Sequence, residues 1–176
     1  MNLKRIPFGN LGKINVVVEI PKGSSIKIEY DEKMRAPVAK FFFRDGLRLP
    51  YNYGLIPETS AEDRDHLDVI LLCEESIPHG VVVPSIPIGV LKLLDRGVPD
   101  HKIVAVPEKH WISTVWTDIE RVDPNLRNEI VIILYKFAEQ KKKTIEIQGF
   151  FGKREAEREI EGAHQRFERE KGVKFF

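Results

Sequence analysis

Three aspartates fall within six residues, Asp63-Arg64-Asp65-His66-Leu67-Asp68, and the segment runs straight into the apolar stretch Val69-Ile70-Leu71-Leu72-Cys73. Carboxylates repel one another, so packing several against an apolar strand is costly unless cations neutralise them. Hard oxygen donors of this kind favour magnesium, calcium or manganese over zinc. In an extended segment Asp63 and Asp65 point the same way, because side chains repeat every two residues, and Asp68 opens the strand that follows. A solvated acidic turn has the same sequence, so the cassette gains weight only from a second acidic group. Leu91-Lys92-Leu93-Leu94-Asp95 supplies one, ending an apolar strand on a carboxylate. Gly97 and Pro99 then turn the chain, and Asp100-His101-Lys102 opens the next strand with Asp100 and Lys102 on a shared face.

Other residues fit the same chemistry less specifically. Lys27 and Glu29 alternate onto one side of a short strand, an arrangement suited either to solvent or to phosphate and a cation together. Glu19 lies inside Val16-Val17-Val18-Glu19-Ile20, on the face of Val17, without an obvious polar neighbour. Tyr53 in Pro50-Tyr51-Asn52-Tyr53-Gly54, and Tyr135-Lys136 on an apolar helix, are equally compatible with packing and snorkelling.

These residues need a scaffold to meet. A chain of 176 residues suits one domain spanning 1–176, and its 42% hydrophobic and 31% charged content describes an ordinary globule. Lys+Arg 28 against Asp+Glu 27 leaves a formal charge of +1, without the basic excess that nucleic-acid binding wants. Cys73 has no partner for an internal disulfide and reads as a core residue. The cationic start lacks the apolar stretch of a secretory signal, and no uncharged run approaches a bilayer span, so a cytoplasmic location with no membrane partner is expected.

Residues 1–107 read mainly as strands and turns: Ile14 to Ile20, Ser25 to Tyr30, Val38 to Phe43, Asp68 to Cys73, Val81 to Leu94 and Lys102 to Val106. Asp123 as N-cap and Pro124 at the first helical position predict a helix to about Lys141. Its segment Ile130 to Leu134 is apolar nearly all round, which calls for cover from a barrel or from another subunit. A strand from Thr144 to Gln148, Gly149 as punctuation, and an amphipathic helix from Lys153 to Lys171 stopped by Gly172 complete the chain. The expected class is α+β, a small five-stranded OB-like β-barrel flanked by two main helices.

The ordered set resembles the soluble (family I) inorganic pyrophosphatases. The matching stretches are Val18-Glu19-Ile20-Pro21, Ile26-Lys27-Ile28-Glu29, Asn52-Tyr53-Gly54, the Asp63/Asp65/Asp68 cassette, Pro87 to Lys92, the Asp95/Asp100/Lys102 block through Pro107, and Tyr135-Lys136. The resemblance implies a five-stranded OB-type barrel with a magnesium-dependent site at its mouth, acting on inorganic diphosphate to give phosphate, in a homo-oligomer such as a hexamer. It also implies roles. Asp63, Asp68, Asp95 and Asp100 become metal ligands, supported directly or through water by Glu19 and Glu29. Asp65 becomes the general base, Tyr53 orients the nucleophile or a neighbouring carboxylate, and Lys27, Lys102, Tyr135 and Lys136 hold phosphate. Manganese or another divalent ion is the alternative cofactor. Charge agrees with this: the seven carboxylates against Lys27, Lys102 and Lys136 leave about −4 if all are ionised, and a diphosphate adds roughly three to four more. On the order of four divalent ions would then be needed for neutrality.

Four positions depart from the family pattern. Arg64 and His66 stand where glycine and proline are usual, Phe41 stands where a phosphate-binding arginine is expected, and Leu49 replaces a tyrosine. Lys40, Arg44, Arg48 and Arg64 are the candidates to supply the missing cation. Two other readings remain open at this level. An OB-type nucleic-acid module would show salt-sensitive single-strand binding without magnesium, and a catalytically impaired relative would bind metal without releasing phosphate.

Overall fold

The β-branched runs form strands, and five of them close on one another. The computed structural model describes residues 3–31 and 33–173. In chain order its main elements are β1 (Gly9–Asn10), β2 (Lys13–Ile20), β3 (Ile26–Asp31), β4 (Ala36–Phe42), β5 (Asn52–Ile56), β6 (Leu67–Leu71), β7 (Val82–Asp95), β8 (Val98–Pro99), β9 (Lys102–Pro107), α1 (Pro124–Gln140), β10 (Ile145–Gly152) and α2 (Lys153–Val173). The barrel runs β2-β5-β6-β9-β7 and closes by pairing β7 back onto β2. Strands β3 and β4 form a separate hairpin, and β10 adds to the outer edge of β7. This is the α+β, OB-like barrel with two helices that the sequence suggests.

One pairing sets the position of the chemistry. Among the described barrel strands only β6 and β9 run parallel, with Asp68 in register with Lys102. Parallel strands begin at the same end of a sheet, so the opening residues of β6 and β9 meet there. Strand β7 runs antiparallel to β9, pairing Leu91 with Lys102, and therefore delivers Asp95, at its far terminus, to that same end.

Alternate residues along the strands feed two apolar clusters. Ile70, Leu91, Leu93 and Val104 pack with Ile130 and Leu134 of α1, while Val69, Leu71, Val90 and Ile103 pack with Ala156, Ile160 and Ala163 of α2. Both faces are covered, which is why these strands read as continuous apolar runs rather than as alternation. Asp123 caps α1 by accepting a bond from the Asn125 N–H, with Pro124 in the first turn. Three details differ from expectation. Asn52 to Ile56 is a strand, paired antiparallel with β2 on one side and β6 on the other. Gly149 lies inside β10, at a bulge opposite β7 with φ 127°. Gly172 does not stop α2, which continues to Val173.

The Asn-Tyr-Gly segment has a structural reason beside any functional one. Asn52 is fully buried and accepts backbone bonds from Lys22 and Ile77 while donating to the Glu75 carbonyl, tying the β2–β3 and β6–β7 loops together. A Cβ at Gly54 would come 2.2 Å from the Val17 carbonyl oxygen. Backbone cannot yield as a flexible side chain does, so Gly54→Ala is expected to destabilise the protein by about 1–3 kcal/mol, read from the midpoint of chemical denaturation; an unchanged midpoint contradicts this packing.

Candidate active site

At the barrel end where β6 and β9 begin, a cavity of about 190 Å³ is lined by Glu29, Asp63, Asp65, Asp68 and Asp100, with Lys27, Lys102, Lys141 and Lys143 among them and Tyr53 in its wall. Leu93, Leu134, Phe137, Ala138 and Ile145 complete it. The volume lies below that of sites for drug-sized organic ligands and suits a compact inorganic one.

Lys102 is the centre of the arrangement. It is buried, and its ammonium donates to Asp68 Oδ2 at 2.6 Å and, closer still, to Asp100 Oδ1. Burial alone would lower its pKa, but Asp68 and Asp100 outweigh that and hold the charge firmly on. Asp68 also accepts from the Tyr53 hydroxyl at 2.7 Å. Burial acts to raise the Asp68 carboxyl, while Lys102 and then Lys27 bring it below its ordinary value. Burial, followed by the Asp68 charge, pushes the Tyr53 phenol well up, so it stays protonated as a donor.

Asp63 and Asp65 arrive by a turn rather than by strand alternation. The Asp65 N–H donates to Asp63 Oδ1 at 3.1 Å, the Ala61 N–H donates to the Asp65 carbonyl, and Arg64 sits at φ 70°. That left-handed backbone suits glycine, which explains the family's residue at this position; Arg64 tolerates it with its side chain exposed. His66, in the proline position, packs inward and bonds the Thr59 carbonyl through Nδ1. Burial, then Asp100 and Asp65, raise the Asp63 carboxyl.

Glu19 borders a second hollow, which shares Lys27, Glu29, Asp65 and Asp68 with the first. Lys27 and Glu29 pair at 2.6 Å, so the side expected to carry both does so. Asp95 is not among the residues lining the cavity; it pairs at 2.6 Å with Lys143, which is. Tyr135 and Lys136 do not reach the cavity: Tyr135 is about half exposed and Lys136 lines a separate groove. Helical geometry gives the reason. At 100° per residue Lys141 lies roughly 20° from the buried Leu134, whereas Lys136 lies roughly 160° from it. The stripe Ile130, Leu134, Ala138 therefore carries Phe137 and Lys141 to the cavity. That stripe was the available signal for Lys141. Lys143, in the irregular segment after α1, had none.

None of the four candidate replacement cations lines the cavity. Lys40 pairs with Asp31, Arg64 is exposed, and Arg44 and Arg48 line the separate groove. Phe41 joins an aromatic cluster instead, 5.0 Å from Phe43, which lies 4.5 Å from Phe137. Leu49 is a core residue.

The donors fit hard divalent cations, since every acidic group is an oxygen ligand. Glu19 strengthens the case: burial, with Asp68 and Glu29 opposing the help of Lys27, pushes its pKa to about 8, the mark of a carboxyl short of positive charge. Outside the cavity, Glu74, Glu75 and His110 bring three ligand atoms within 4.8 Å on the surface.

Comparison with known proteins agrees with the geometry. Residues 16–168 match the family model described as inorganic pyrophosphatase. An inorganic pyrophosphatase of Nanoarchaeum equitans is 34% identical over 90% of this chain and 99% of its own length; one of Saccharolobus solfataricus is 35% identical over 88% and 91%. Among solved structures, the inorganic pyrophosphatase of Thermus thermophilus superposes with a TM-score of 0.88 at 29% identity, covering 96% of this chain and 99% of that one.

Because Glu19 has its pKa raised in the fold, the metal-free protein binds an extra proton there between the ordinary carboxylate range and about pH 8. Its contribution to stability is complete below pH ~4.5 and is lost as pH rises toward 8. In chelator, the melting temperature of the wild type should fall over that window and that of Glu19→Gln should fall less; parallel profiles contradict the assignment.

Proposed function

The chain belongs to the inorganic pyrophosphatase family, and we propose that its acidic cavity hydrolyses inorganic diphosphate to two orthophosphates using water and bound divalent metal. The observation that carries this reading is the meeting of Asp63, Asp65, Asp68 and Asp100, from separate segments, around Lys102 and Tyr53 in one small cavity. Asp63, Asp68, Asp95 and Asp100 would hold the ions, with Glu19 and Glu29 supporting them. All-oxygen donors make magnesium the expected ion and manganese the alternative. When bound, such ions lower the pKa of water and neutralise phosphoryl oxygens.

The chain's own residues do the rest. Asp65 accepts the proton of the attacking water, whose oxygen bonds to one phosphorus while the bridging oxygen leaves with the other phosphoryl group. Tyr53 fixes Asp68 through its hydroxyl. Lys27 and Lys141 face the cavity as phosphate donors, Lys141 taking the place first expected of Tyr135 and Lys136. Lys102, tied to two carboxylates, becomes available to phosphate once these are matched by other cations. Catalysis is then mainly positioning and electrostatics.

We place this activity in the cytoplasm and in one domain. Among the described residues no helix is long and apolar enough to cross a membrane. A homo-oligomer is supported by Ile132 and Tyr135, which stand exposed on α1 away from the barrel. The nucleic-acid reading is not favoured, because carboxylates and not exposed aromatics occupy the barrel mouth.

Phosphate release from diphosphate should require magnesium, and Asp65→Asn should lower it by about a hundredfold or more without changing the melting temperature. A variant as active as the wild type removes Asp65 from the mechanism; wild type that releases no phosphate with any divalent ion removes the activity.

A further inference from the structure

Beside the cavity, a groove of about 960 Å³ runs between the segment 44–48 and the C-terminal end of α1. The Arg44 N–H donates to Gln140 Oε1 at 2.8 Å, and Gln140 Nε2 returns a bond to the Arg44 carbonyl, so the two walls are fastened by backbone and the Arg44 side chain is left free. Arg44, Arg48, Lys136, Lys141 and Lys142 line it against only Asp45 and Glu139. Among the described residues none of these five cations makes an ion pair with a carboxylate. Five unneutralised cations on facing walls repel one another, and an anion relieves that repulsion. Lys141 lines both the groove and the acidic cavity, so the two adjoin at its side chain.

From this adjacency and the unpaired cations we propose that the groove is a binding subsite for the phosphates beyond the second of a linear inorganic polyphosphate whose terminal diphosphate unit occupies the cavity. The inference rests on the diphosphatase reading of that cavity. A linear polyphosphate carries charge at each phosphate along its length, which suits cations spread along a groove; a nucleoside would bring an uncharged ring to walls that are mainly charged. Lys141 would sit at the junction between the second and third phosphates, and Arg44 and Lys142 would contact the extension only.

The test is calorimetric titration of the magnesium-loaded protein with methylene-bridged analogues, a diphosphonate and a linear triphosphonate, neither of which is hydrolysed. The double variant Arg44→Gln/Lys142→Gln should bind the triphosphonate about tenfold more weakly, the effect of roughly one and a half kcal/mol of lost charge interaction. Its diphosphonate affinity should stay within about twofold of wild type, which also reports that the variant is folded. Equal loss for both ligands, or no loss for either, overturns the subsite. Failure of the wild type to bind the diphosphonate overturns the reading of the cavity itself, and the extension with it.

Discussion

The site depends on one buried ammonium. Lys102 bonds Asp68 and Asp100 at once, and without it two carboxylates would face each other across an apolar barrel end with only Tyr53 and Lys27 to help. A buried charge is tolerable when it is paired and hydrogen-bonded, and Lys102 gains two carboxylate partners, one of them because β6 and β9 run parallel with Asp68 opposite it. The topology is thus an electrostatic device: the parallel pair puts a cation beside a carboxylate at the barrel mouth, and the antiparallel β7 adds Asp95. The remaining acids stay incompletely compensated, Glu19 and Asp63 most plainly, which leaves the cavity suited to more positive charge.

Much of this was legible in the residues. Asp-x-Asp-x-x-Asp beside Asp-x4-Asp-x-Lys pointed to metal chemistry because the residue types repel unless something binds them. Asp123-Pro124 marked the start of α1 by cap chemistry, and the apolar runs marked strands covered on both faces. The turn geometry was not legible. Asp63 and Asp65 come together through a left-handed Arg64, a conformation whose signal is glycine and which arginine conceals. Tyr135-Lys136 drew attention as a dipeptide, but a helix presents residues by angle, and the buried stripe of α1 turns Lys141 inward instead. Lys143 follows the helix with no periodicity to place it, and only the folded structure, which sets it in the cavity wall paired with Asp95, reveals where it stands.

The departures from the family pattern divide the same way. Phe41 exchanges a cation for an aromatic contact, extending a cluster with Phe43 and Phe137 behind the cavity wall. Positive charge returns through Lys141, whose pKa burial brings down to about 8, with Lys27 and Lys143 adding repulsion. That repulsion is what a bound anion would relieve. On the proposed reading, Lys141 beyond the end of α1 joins Lys27 of the hairpin in supplying the cavity with the positive charge that Phe41 does not.

The most direct measurement is anomalous diffraction from crystals soaked in manganese with a diphosphonate. Manganese peaks should lie between Asp63, Asp68, Asp95 and Asp100, with the diphosphonate against Lys27 and Lys141. Manganese found at Glu74, Glu75 and His110 on the surface, with none among the cavity carboxylates, would contradict the account.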